Sequence, residues 1–145
     1  MSLPITIPEI EDEFRLYDEL SDDPKADRNR LVNELGKALE PMPEALKIDE
    51  TRVPGCASTV WVYPVPGSTG DSLRFYADSN TGLTKGIIAM ILMIVQGKNA
   101  QEVLNLDIEK ELEPLGLQNH FSSLRTSGLK NMILKIRETA ARLAA

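Results

Sequence analysis

Cysteine is almost missing from this chain of 145 residues: Cys56 is the only one, beside a single histidine, His120, and a single tryptophan, Trp61. One thiol cannot form an intramolecular disulfide. One Cys with one His cannot supply the four ligands of a structural zinc site or the thiolates of an iron–sulfur cluster, so no resident metal or cofactor is expected. Aromatic residues make up only 5% of the chain, which leaves an aliphatic core. Long apolar runs are missing too. The longest, Ile87 to Val95, falls far below the about 20 residues a bilayer requires and reads as a helix buried on most sides. No Gly-rich phosphate loop is present, and no nucleophile elbow exists for His120 to serve as a base. Basic residues are outnumbered 16 to 22, giving a net charge of −6. Such a surface repels phosphate backbones, so nucleic acid is not an expected partner, and a protein with a basic patch suits it better. No stretch reads as a secretory signal or a transit peptide, so a reducing compartment, the cytoplasm, is expected.

The remaining residues have the balance of an ordinary globular protein, 42% apolar and 26% charged, and the length suits one domain over residues 1–145. Residues 1–8 carry prolines and read as loose. Glu9 to Leu20 reads as a marginal acidic helix. Asp22-Asp23-Pro24 is a helix start, with Leu31, Leu35, Ala38 and Leu39 at helical spacing behind it and Pro41 and Pro43 as its stop. The period then changes. Val60 to Tyr63 favours a strand, and Leu73, Phe75 and Ala77 alternate with polar residues. The turn-forming segment Pro66–Asp71 between them predicts a hairpin, with a further short strand before Pro54. Trp61 reads as strand core. Helix returns from Gly82 to Gln96 and ends at Gly97. Asn99 caps a short helix with Glu102 at its third position, and Asp107 caps another that ends near Gly116. A last helix from about Ser127 lines Leu129, Met132, Ile133, Ile136, Ala140 and Leu143 along one face. Helices, then strands, then helices argue an α+β fold, a small antiparallel sheet packed on one face by helices.

A lone cysteine is most often an inert, buried small hydrophobe. The setting of Cys56 points elsewhere. It lies in Arg52-Val53-Pro54-Gly55-Cys56-Ala57-Ser58, ahead of the strand, where Pro54 and Gly55 break regular structure and predict a loop tip. Gly55 would let another protein's backbone approach. A nucleophilic sulfur must be thiolate, which nearby cations favour; Arg52 is close in sequence, and Arg125 is a candidate to be close in space. From the residues alone Cys56 is a candidate nucleophile without a substrate.

Val53-Pro54-Gly55-Cys56-Ala57-Ser58-Thr59-Val60-Trp61 resembles the signature of the SufE family, Val-x-Gly-Cys-x-Ser-x-Val-Trp. Further matches follow at Ala77-Asp78-Ser79-Asn80, at Gly82 and Lys85-Gly86 with the apolar helix behind them, and at His120, Arg125 and Gly128-Leu129. Thr51 stands where the family often has Asn, and Ser123-Leu124 where it has Pro-Ser. The resemblance implies a fold shared with the cluster scaffold IscU, and a sulfur acceptor in iron–sulfur cluster assembly. A SufS-like cysteine desulfurase, which carries its own pyridoxal phosphate, would pass persulfide sulfur to Cys56 and be stimulated by it. Cys56 would then deliver the sulfur to a Suf-type scaffold. On that reading the chain is an accessory protein with a covalent persulfide and not a stand-alone enzyme. Arg125 would support the cysteine, with His120 a further candidate, while Arg52, Gly55, Ser58 and Asp78 would meet the partner. Alternatives are a one-cysteine thiol redox enzyme or sensor, against which Val53 stands where such enzymes place Ser or Thr, and a non-catalytic module that regulates a desulfurase.

Overall fold

The computed structural model describes residues 3–55, 58–117 and 128–144; Cys56, His120 and Arg125 lie outside them. The described residues are mostly helical. They form α1 (Ile7–Leu20), α2 (Pro24–Lys37), β1 (Val60–Pro64), β2 (Phe75–Ser79), α3 (Gly82–Val95), α4 (Ala100–Leu104), α5 (Ile108–Leu112) and α6 (Gly128–Ala144). Short 3₁₀ turns occur at Glu44–Leu46, Asp49–Thr51 and Glu113–Leu115.

Local chemistry accounts for most of these boundaries. Asp23 accepts the Ala26 N–H and Pro24 opens α2. Asn99 and Glu102 form a reciprocal capping box on α4, and Asp107 caps α5 by accepting the Lys110 N–H. The first helix corrects the reading of residues 1–8: it begins at Ile7 and not at Glu9, because Thr6 accepts the Glu9 N–H as N-cap and Pro8 sits in the opening turn, where its missing donor costs nothing. Ile7, Ile10 and Phe14 bury the inner face of α1.

The sheet is a two-stranded antiparallel hairpin in which Val60 faces Ser79, Trp61 faces Asp78 and Val62 faces Ala77. Alternation sends Val60, Val62 and Ala77 into the core, against α3 and α6. Trp61 departs from the sequence reading. It stands on the opposite face of the sheet and takes no part in the core cluster. The expected short strand before Pro54 is reduced to one bridge, Arg52 to Trp61.

Helix α3 is the centre of the molecule, with Ile87, Ile88, Met90 and Ile91 fully buried. It meets α2 at close range through glycine. A Cβ at Gly86 would overlap the Val32 carbonyl, and one at Gly36 would stand 2.7 Å from the Gly86 nitrogen. Helix α6 closes the other side with Leu129, Met132, Ile133, Ile136 and Ala140. Its Arg137 donates to the carbonyls of Leu106 at 2.7 Å and Leu104 at 3.0 Å, which ties it to the end of α4. No helix among the described residues is long and apolar enough to cross a membrane.

Candidate functional site

The residues on either side of Cys56 and Ala57 join the scaffold at one end of the hairpin. On the incoming side, Thr51 is buried and donates to the Leu46 carbonyl at 2.6 Å while accepting the Ile48 N–H at 3.2 Å, which fixes the turns that lead in. Arg52 pairs with Trp61 across the bridge, and the Val53 N–H donates to the Val60 carbonyl at 2.8 Å. Val53 is buried, whereas Pro54 and Gly55 are exposed. Gly55 has φ +77°, a left-handed conformation that costs a residue with a Cβ about 1–2 kcal/mol. Helix α6 reaches over to this leg: Asn131 Nδ2 donates to the Pro54 carbonyl at 2.8 Å, and Lys135 Nζ to the Glu50 carbonyl at 2.7 Å.

The outgoing side is tied to the turn between β2 and α3. The Ser58 hydroxyl lies 3.1 Å from that of Thr84 and accepts from that of Thr81 at 3.2 Å. The Thr59 N–H donates to Asn80 Oδ1 at 3.1 Å, and Ser79 Oγ donates to the Thr59 carbonyl at 2.7 Å. Thr81 is the N-cap residue of α3, yet its hydroxyl makes no capping bond. It serves the loop instead. Both legs flanking Cys56 and Ala57 are therefore held by hydrogen bonds to other elements, some at the buried positions Thr51, Val53 and Thr84 and some nearer solvent.

Asp78 sits one register position along, in the row Arg52–Trp61–Asp78 across the outer face of the sheet. Lys47 pairs with its carboxylate at 2.5 Å, Lys85 approaches at 3.4 Å, and the Ser79 N–H donates at 2.8 Å. Burial pushes the Asp78 pKa up, but the hydrogen bonds from Lys47 and the Ser79 N–H, together with the Lys85 charge, outweigh it and hold the group below its ordinary value. The hydrogen bonds to Asp78 and Glu44 raise Lys47 in turn. Lys47 also lies 5.5 Å from the centroid of the Trp61 ring.

Of the residues the sequence singled out, Arg52, Gly55 and Ser58 thus flank the cysteine segment, and Asp78 shares a sheet row with Arg52. The Arg52 side chain is exposed and has no ion-pair partner among the described residues. Asp78 is a paired carboxylate only 17% exposed. Sequence reasoning missed Lys47, Thr84, Asn131 and Lys135. None carried a local signal, because the groups they reach beside the cysteine segment and on β2 lie far off in sequence. Among the described residues, no group of three or more His, Cys, Asp or Glu is placed to hold a metal ion.

The chain is 39% identical over 139 residues to an uncharacterised SufE-like protein of Rhizobium meliloti (strain 1021), covering 93% of this chain and 94% of that one. It is 32% identical over 109 residues to the cysteine desulfuration protein SufE of Wigglesworthia glossinidia brevipalpis, covering 75% of each. A solution structure of a hypothetical protein from Thermus thermophilus shares the fold with a TM-score of 0.66 at 19% identity, over 95% of this chain and 97% of that one. Residues 10–140 match the SufE family, described as an Fe-S metabolism associated domain, and the chain belongs to that family.

Proposed function

We propose that this protein accepts sulfur on Cys56 from a pyridoxal-phosphate-dependent cysteine desulfurase and passes it to a Suf-type cluster scaffold, stimulating the desulfurase as it does so. The Cys56 thiolate attacks the terminal sulfur of the desulfurase persulfide. A new S–S bond forms on Cys56, the S–S bond of the desulfurase breaks, and its cysteine leaves as a thiolate. No external oxidant or reductant enters, and rate depends on thiolate fraction, access and the leaving thiol. One cysteine suffices, since a second nearby thiol would attack the carried persulfide and release sulfide. The protein acts as a carrier with a covalent intermediate, in a reducing compartment such as the cytoplasm. Arg125 supports the cysteine, with His120 a lesser candidate, and Arg52, Gly55, Ser58 and Asp78 lie toward the partner.

The observation that carries this reading is the setting of the chain's single thiol, in a SufE-family sequence, between two legs braced by other elements and next to the exposed, left-handed Gly55. The test is desulfurase turnover on free cysteine. Wild-type protein raises it, and Cys56→Ser does not, while the variant melts within about 2 °C of wild type. Full stimulation by Cys56→Ser would favour a regulatory module, and loss of its thermal stability would make Cys56 a core residue. Modification of Cys56 by peroxide alone, without sulfur uptake, would favour a thiol redox role.

A further inference from the structure

We propose that Asn131 and Lys135 of α6 are positioning residues that brace the incoming leg of the cysteine segment and thereby set how Cys56 is presented for reaction. The inference rests on the sulfur-acceptor reading for its biological meaning, but the brace itself is visible without it. The two donors are four residues apart on one helix, about 6 Å along the axis. They reach two backbone carbonyls, those of Glu50 and Pro54, that are also four residues apart. Both side chains stand outside the buried stripe formed by Leu129, Met132, Ile133 and Ile136, so core packing does not account for their placement.

The brace completes a set of restraints. On one side the leg is held to β1 by the Val53 N–H bond to Val60 at 2.8 Å; on the other it is held to α6. Both ties stop at Pro54. Gly55 follows, with φ +77° and an exposed backbone, and Cys56 follows Gly55. Pinning the carbonyl of Pro54 therefore fixes the backbone up to Gly55, the residue before Cys56, and leaves any pivot there instead of further back in the turns at 44–51. A rigid base presents a nucleophile in a narrow range of orientations, which lowers the entropic cost of reaching a bound persulfide. Releasing it should cost rate at saturation more than it costs affinity.

The experiment uses the full chain with Asn131→Ala, the double variant Asn131→Ala/Lys135→Ala, and Lys135→Arg, which keeps a donor. Two measurements need no desulfurase: amide hydrogen exchange over residues 50–55, and the alkylation rate of Cys56 by iodoacetamide. In the double variant, exchange over 50–55 should quicken about tenfold and alkylation should change at least about threefold, with exchange elsewhere in α6 as in wild type. With a desulfurase, the maximal rate of sulfur transfer should fall about fivefold at an unchanged half-saturating concentration. Asn131→Ala should show a smaller change of the same sign, and Lys135→Arg should match wild type. Wild-type exchange and alkylation in the double variant would overturn the brace. Because those two arms involve no sulfur transfer, they decide for or against it even if the wild-type protein proves to accept no sulfur.

Discussion

At the residue scale, the outer face of the sheet is organised around one carboxylate. Asp78 collects Lys47, Lys85 and its neighbour's N–H, and Lys47 in turn covers Trp61, so one side chain joins the segment before Cys56 to β2 and to the first turn of α3. Asp78→Asn should lower stability by about 2 kcal/mol at neutral pH, because it leaves two lysines facing a group that no longer balances them. The pH dependence follows from the direction of each shift. The depressed Asp78 contributes fully above about pH 4 and loses its contribution as pH falls through its folded value. The raised Lys47 contributes fully below about pH 10 and loses its share as pH rises past that. The stability difference between wild type and variant should therefore be flat across the middle of the range and shrink at both ends, as measured by urea denaturation at a series of pH values. Gly55 offers a second check at this scale. Gly55→Ala should cost about 1–2 kcal/mol in thermal unfolding through its positive φ, and Gly55→Asn should cost less, since Asn tolerates that region better.

At the scale of elements, the contact between α2 and α3 is set by glycine. The Val32 carbonyl occupies the place of a side chain at Gly86, and the neighbouring Gly36 approaches the Gly86 backbone, so the two helices meet closer than side chains would allow. Gly86→Ala should destabilise the protein by about 3 kcal/mol or more, visible as a lower urea midpoint, although alanine is the better helix former. How legible each element was depended on whether its signal was local. The starts at Asp23-Pro24, Asn99 and Asp107 were readable because a cap and its partner lie within three residues of each other. The start at Thr6 was missed because Pro4 and Pro8 suggested a loose segment, while Pro8 is tolerated in the opening turn of α1. Trp61 reads as strand core in the sequence but stands outside the core cluster. Strict alternation with Val60 and Val62 already placed it on the other face, and the lysine that shelters it comes from a turn fourteen residues earlier, which no period reveals. The ties from α6 to Glu50 and Pro54 bridge 85 and 77 positions of sequence and were invisible for the same reason.

At the scale of the whole molecule, the division of labour is between a dry interior and a wet rim. One aliphatic cluster runs from α1 through α3 to α6 and holds the hairpin from its inner face. The residues around Cys56 are held instead by hydroxyls, amides and one ammonium group at the edge of that core. A stable scaffold with hydrogen-bonded legs on either side of Cys56 suits the proposed role of sulfur carrier. The most direct measurement is the intact mass of the purified chain after incubation with a cysteine desulfurase, pyridoxal phosphate and free cysteine. The account predicts a reductant-sensitive gain of one sulfur atom, mapped to Cys56 and absent from Cys56→Ser. A chain whose mass stays unchanged while the desulfurase turns over would contradict it.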